Sequence, residues 1–319
     1  MRDKDATEVL QADRGGLLHA AGILRNGGLV AVPTETVYGL AARADDPAAV
    51  ARIYAAKGRP SLNPLIVHVR DAGHADEFVT MNDAARRLVD GEWPGPLTLV
   101  LPRRDGAGIA PAVAAGLPTL AVRAPAHPAM RALLQAVDFP LAAPSANPSG
   151  RTSPTCASHV LDGLAGRIDA VIDGGASSAG LESTILTCRA EGEWELLRPG
   201  PLDPAELAAR YALSLSAPGS GVRSDRIEAP GQLSRHYAPG KPVRLNAAHA
   251  QGAEFLIGFG DVAGDVNLST AGDALEAAAN LYDCLHRAAA SSAPSIAVAP
   301  IPNTGIGKAI NDRLARAAR

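Results

Sequence analysis

Leu29-Val30-Ala31-Val32-Pro33-Thr34-Glu35-Thr36 sets a short apolar run directly against a proline and a hydroxyl-rich turn. The pattern returns as far as Gly200 in NPLIVHV, PLTLVLP, TLAVRAP, PLAAPSAN, AVIDGG, STILT and ELLRPG. Runs this short, bounded by Pro, Gly and small polar residues, suit buried strands better than helices. Helical patterns lie between them. From Asp46 to Lys57, Val50, Ile53 and Tyr54 fall at i, i+3 and i+4 behind an Asp46-Pro47 pair fit for N-cap and N1. Asp83 to Leu88 and Pro128 to Val137 follow the same rule. Strands alternating with helices predict a large mixed α/β sheet domain ending near Ala212.

From Ser214 to Lys241 the chain turns rich in Ser, Gly and Pro, too poor in apolar residues for a core, and reads as an interdomain linker. Beyond it KPVRL and AEFLIGFG predict strands, about Asp273 to Ala290 a helix, SIAVAPIP a strand, and Ile306 onward a last helix. Leu275, Ala278, Ala279, Tyr282 and Leu285 are expected to form the packing face of the first of these helices. A small Rossmann-like second domain results. The expected boundaries are 14–212 for the catalytic domain, 213–241 for the linker and 242–319 for the second domain.

Composition agrees. At 319 residues the chain favours two domains or one large α/β domain. With 47% apolar and 3% aromatic residues, its core must be built from Ala, Val, Leu and Ile. A formal net charge of -3 argues against a surface that grips nucleic acid by charge alone. Cys156, Cys188 and Cys284 are far apart and lack CxxC or Cys/His metal spacing, which favours reduced structural thiols. The N-terminus mixes acids and bases, and no apolar run approaches the ~20 residues of a bilayer span. A cytoplasmic protein without a membrane partner is expected.

Five segments could carry chemistry. Pro33-Thr34-Glu35-Thr36-Val37-Tyr38-Gly39-Leu40 follows a strand, where ligands of open α/β sheets collect, although an ordinary Thr-rich turn explains it equally. Lys57-Gly58-Arg59-Pro60-Ser61-Leu62-Asn63-Pro64-Leu65 places two bases in a loop stiffened by prolines, fit for a polyphosphate; a helix C-cap accounts for Lys57 but poorly for the two prolines. Arg123 and Arg198 sit at the ends of apolar strands and need anionic partners, either a ligand or an internal carboxylate. Pro144-Ser145-Ala146-Asn147-Pro148-Ser149-Gly150 and Gly180-Leu181-Glu182-Ser183-Thr184-Ile185 supply groups that donate and accept, as turns and hairpins also do. His68, inside a strand, reads by spacing alone as a satisfied core histidine. Gly305-Ile306-Gly307-Lys308-Ala309 only imitates a phosphate loop, lacking the upstream glycine and the hydroxyl after lysine, and reads as a turn opening the last helix.

In this order, VPTETVYGLAA, KGRPSLNPLIVHV, LAVRAP, PSANPSG, ESTI and LLRPGP resemble signature segments of the threonylcarbamoyl-AMP synthase family, whose catalytic module is the YrdC-type domain. LSRHYAPGKP and GIGKAINDRL resemble its long form, which adds a Rossmann-like domain. The resemblance implies a mixed twisted-sheet YrdC-type domain and an L-threonylcarbamoyladenylate synthase. Such an enzyme makes threonylcarbamoyl-AMP and pyrophosphate from threonine, bicarbonate and ATP, for threonylcarbamoyladenosine in tRNA. It also implies Mg2+ alongside ATP, and downstream transferase proteins that bring the product to tRNA.

Carried over, Thr36, His68, Arg123, Ser145 and Ser183 would surround threonine. Lys57, Arg59, Asn63, Thr119, Asn147, Thr155, Arg198 and Tyr237 would surround ATP, with Lys57 and Arg59 catalytic. The linker and second domain would shield the labile adenylate. Where some long-form relatives carry an extra tyrosine before His236-Tyr237, this chain has Leu233-Ser234. Two alternatives remain at this point: an RNA-binding module of the same fold without nucleotide turnover, and a carbamoyl transferase acting on a protein.

Overall fold

The computed structural model describes residues 7–190, 193–216, 227–231 and 236–319; Leu233-Ser234 and much of the expected linker lie outside them. Among the described residues, eleven strands form one mixed sheet. From edge to edge they run Glu8–Gln11, Ala170–Asp173, Val30–Val32, Gly39–Arg43, Leu141–Ala142, Ile66–His68, Thr119–Arg123, Leu97–Pro102, Thr184–Ala190, Glu193–Arg198 and Ser214–Ser216. Each apolar run quoted above supplies one strand. Gly39–Arg43, the edge strand Glu8–Gln11 and the last strand Ser214–Ser216 were not anticipated. Ser214–Ser216 pairs in parallel with Glu193–Glu195, so the first sheet continues into the range read as linker.

Both faces of the sheet are covered, which is why the strands read as continuous apolar runs rather than as alternating ones. Successive side chains of a strand point to opposite faces. Leu29 and Ala31 therefore join one core, with Val50 and Ile53 of the helix Pro47–Lys57 and Leu88 of Asp83–Glu92. Val30 and Val32 join the other, with Leu24 of the helix Arg14–Arg25 and Leu133 of Pro128–Ala136. Asp46 caps its helix as expected, its carboxylate accepting from the Ala48 and Ala49 amides with Pro47 in the first turn.

The second sheet is all parallel, in the order Val243–Arg244, Ile296–Val298, Phe255–Gly258, Val266–Asn267, against helices Ala274–Ala290 and Gly307–Ala317. One expectation for the long helix is corrected. Leu275 is 67% exposed and Ala279 only partly buried, whereas Ala278, Leu281, Tyr282, Leu285 and Ala288 face the core. Leu275 belongs to the first turn, where Asp273 caps the helix from outside the packed stripe. The turn before Gly307 opens the last helix as expected.

The two sheets share packing. Val37 and Leu181 of the first unit and Tyr237 of the linker are buried in the same cluster as Ile257, Leu281 and Leu285. Gly180 permits this approach: it has φ +67, and a Cβ there would stand 2.5 Å from the Ala278 carbonyl oxygen.

Candidate active site

Strand ends bring the polar segments together. His68 and Arg123 terminate adjacent parallel strands and are register partners. Gly39 bridges to Ser145, which draws the Pro33–Gly39 turn against the Pro144–Gly150 loop. Thr98 and Ser183 share a hydroxyl–hydroxyl hydrogen bond of 2.7 Å. Gly58 adopts the left-handed conformation (φ 60) that ends its helix and turns the chain so that Arg59 points back towards the sheet.

The result is a hollow of about 40 Å³ lined by Thr34, Thr36, His68, Arg123, Ser145, Glu182, Ser183, Arg59, Arg198, His236 and Tyr237, with Pro230 and Gly231. The thirteen residues nominated from the sequence do not all meet there. Thr36, His68, Arg123, Ser145, Ser183, Arg59, Arg198 and Tyr237 line it directly. Lys57, Asn63, Thr119, Asn147 and Thr155 do not.

Lys57 is buried, with its amine donating to the Ser145 and Asn147 carbonyls, so it props the Pro144–Gly150 loop from behind rather than reaching into the hollow. Asn147 faces a larger cavity of about 470 Å³ between the two sheets, shared with Arg151, His159 and His286. Thr155 is buried beside His159. Thr119 begins the strand that Arg123 ends, about 13 Å away at the spacing of an extended chain.

Three cations lack a carboxylate. Arg59 donates to the carbonyls of Asn63 and Pro64, and Arg198 to Ser183 and to the Pro230 carbonyl. With Lys57 they form no ion pair among the described residues. Burial and mutual repulsion both show in their proton affinities. Burial, then Arg59, drives Lys57 well below the usual lysine range; burial, then Arg198, brings Arg59 to about 10 despite its neighbouring tyrosines. Arg198 is lowered by burial. His236 falls to about 3, chiefly through burial; Glu182 opposes the fall, and Lys57, Arg59 and Arg198 add to it. Arg59 and Arg198 thus share the hollow, with Lys57 behind it.

Arg123 follows the other alternative. It donates to Glu35 at 2.7 Å, to Thr36 at 2.9 Å and to the Gly95 carbonyl, an internal ion pair with donors to spare. Burial alone would raise the Glu35 carboxyl, but Arg123 holds it low. The core reading of His68 needs correction: it is buried, yet its Nδ1 has no partner among the described residues and it lines the hollow. Asn63 Oδ1 and Nδ2, Asn147 Oδ1 and His236 Nδ1 are likewise buried without partners. Such atoms are costly unless a ligand satisfies them.

Sequence reasoning missed the buried network behind Tyr237. Glu182 accepts from Ser153, Tyr282 and Arg313, and Arg313 stacks 5.2 Å from the Tyr237 ring centroid. The signal was there: Arg313 falls on the apolar stripe Ile310, Leu314, Ala317 of the last helix. This donor set also tests for a metal. Among the described residues no three His, Cys, Asp or Glu side chains cluster, and both Glu182 oxygens are taken. The described residues offer no cage for a resident Mg2+.

The buried histidines make acid sensitivity a direct consequence. Burial, reinforced by Arg123, takes His68 to about 3, and His236 matches it. Both folded values lie below the unfolded value near 6.5, so the stabilisation is whole above pH 6.5 and is lost as pH falls towards 3. Each histidine should remove about 1.4 kcal/mol per pH unit below 6.5. Urea unfolding at pH 7, 6 and 5 checks this, and the His68→Gln and His236→Gln proteins should show shallower slopes; equal slopes would refute it.

An α/β fold with excess buried cation beside a hydroxyl-lined hollow suits an enzyme of the nucleotidyltransferase type, and the comparisons agree. Residues 22–200 match the family model described as "Telomere recombination" (Sua5_yciO_yrdC), and residues 205–319 match "Threonylcarbamoyl-AMP synthase, C-terminal domain". Threonylcarbamoyl-AMP synthase of Bacillus subtilis is 38% identical over 98% of this chain and 96% of its own length. That of Pyrococcus abyssi is 38% identical over 93% of this chain and 92% of its own. The crystal structure of P. abyssi Sua5 complexed with L-threonine superimposes with a TM-score of 0.88 at 34% identity, covering 98% of this chain and 97% of that one. The chain belongs to the threonylcarbamoyl-AMP synthase family, in its two-domain form. No helix among the described residues is long and apolar enough to cross a membrane.

Proposed function

We propose that the protein joins threonine, bicarbonate and ATP into threonylcarbamoyl-AMP, releasing pyrophosphate and water, for threonylcarbamoyladenosine in tRNA. Bicarbonate takes up a proton and loses water to give CO2, the threonine amine adds to it and gives up a proton to leave a carbamate, and a carbamate oxygen attacks the α-phosphorus as the bond to pyrophosphate breaks. Placement and charge supply most of the catalysis.

The observation that carries this reading is that Arg59 and Arg198 line one hollow, with Lys57 buried behind its Pro144–Gly150 wall, and that none of the three is in an ion pair among the described residues. Such a site is suited to the charge that grows on departing pyrophosphate. Arg59 and Arg198 take the direct role, while Lys57 acts through the Pro144–Gly150 loop. Asn63, Asn147, Thr119 and Thr155 are assigned to ATP by family resemblance, and Tyr237 by its place beside Arg59 and Arg198 as well. Thr36, His68, Ser145 and Ser183, with Arg123, are assigned to threonine; the threonine complex of the P. abyssi relative supports this class of ligand. Both substrates exceed 40 Å³, so Tyr237 and its neighbours must yield space for them.

The catalytic unit then spans 14–212 with the edge strands Glu8–Gln11 and Ser214–Ser216 added, and 242–319 form the second domain. Cysteines kept as thiols at Cys156 and Cys284 support a cytoplasmic setting. Downstream transferase proteins would consume the adenylate, and Mg2+ would enter with ATP. Pyrophosphate release from ATP should require both threonine and bicarbonate. Release indifferent to threonine, or salt-sensitive RNA binding without turnover, would refute the proposal.

A further inference from the structure

Glu182 lines the same hollow as Arg59 and Arg198, and it precedes Ser183, whose hydroxyl Arg198 bonds. Two arginines act on it. Arg313 donates to it from Nε at 3.0 Å, while Arg198 acts through its charge and bonds the adjacent Ser183 instead. Arg313 comes from the last helix of the second domain and is fully buried, its other nitrogens bound to Asp312 and the Pro199 carbonyl. Ser153 and Tyr282 complete the cage around the carboxylate.

We propose that Arg313 is a positioning residue for nucleotide binding: by holding Glu182, it keeps Arg198 free for the triphosphate. The inference rests on the proposed function in taking Arg198 as a phosphate ligand. A buried carboxylate without a counter-charge draws in the nearest cation. Without Arg313 that cation is Arg198, whose swing onto Glu182 would cancel charge at the anion site. The second domain would then contribute to ATP affinity without touching ATP. Burial by itself would raise the Glu182 carboxyl; Arg313 first and Arg198 second keep it at about 2, so it stays ionised and in need of a partner.

The test uses the full chain as wild type, Arg313→Met, Glu182→Gln and the double variant. Binding of inorganic triphosphate is measured by calorimetry, with KM for ATP and for threonine where turnover is present. Arg313→Met should weaken triphosphate binding about tenfold or more, the loss expected when a charged hydrogen bond is removed, and raise the ATP KM while sparing the threonine KM. Adding Glu182→Gln should restore triphosphate binding to near the wild-type value, because no carboxylate remains to capture Arg198.

Equal losses for ATP and threonine, or a double variant as weak as Arg313→Met, would overturn the proposal in favour of a purely structural role. Should Arg313→Met fail to fold, the double variant decides alone: near wild-type binding supports the proposal, and tenfold weaker binding refutes it. Absence of turnover in the wild type would count against the proposed function, whereas triphosphate binding still reads the role of Arg313.

Discussion

Arg59→Ala should lower threonine-dependent pyrophosphate release about 10²–10³-fold, the usual loss when one preorganised donor is removed from developing charge. The fold should survive and gain slightly in stability. Arg59 bonds the Asn63 and Pro64 carbonyls of its own loop, and its charge is disfavoured by burial and by Arg198. Folding therefore works against this guanidinium, as is common where a site is held ready for a ligand. Pyrophosphate assays paired with thermal unfolding check both halves. A fully active variant, or one with a collapsed melting temperature, would contradict the account.

Arg123→Ala should behave in the opposite way. Its partner Glu35 is mostly buried, with Oε2 already lacking a hydrogen bond, so truncation strands a carboxylate and should cost about 3–5 kcal/mol. The threonine KM should rise as well, since the guanidinium also positions Thr36 at 2.9 Å. The Arg123→Met, Glu35→Gln pair separates the effects: stability should recover, while the raised threonine requirement should persist. Unchanged threonine dependence would remove Arg123 from the substrate site.

These contrasting arginines also show what could be read in advance. Buried strands were legible because both sheet faces are covered, giving runs such as Leu29–Val32 without alternation. Gly39–Arg43 was not, because GLAAR continues a motif that reads as a turn and contains little β-branched signal. Both strand-end arginines were recognisable as needing partners. Which one would find an internal carboxylate was not, because Glu35 lies far along the chain from Arg123, on a turn that only the folded sheet carries to the end of the Thr119–Arg123 strand. Lys57 was placed in the right loop but one layer too far forward, since sequence does not say which carbonyls an amine will meet. Arg313 was hidden for another reason: in NDRLARAAR it is one charge among several, and such a run reads as a solvated helix face.

The shared packing of Val37, Leu181 and the long second-domain helix has a practical corollary. A fragment cut after residue 216 would keep every strand of the larger sheet yet turn Val37 and Leu181 towards water, with Glu182 deprived of its counter-ion. Such a piece should be sticky and poorly soluble rather than a miniature enzyme. Dissection of this protein is therefore better done by point substitution than by truncation.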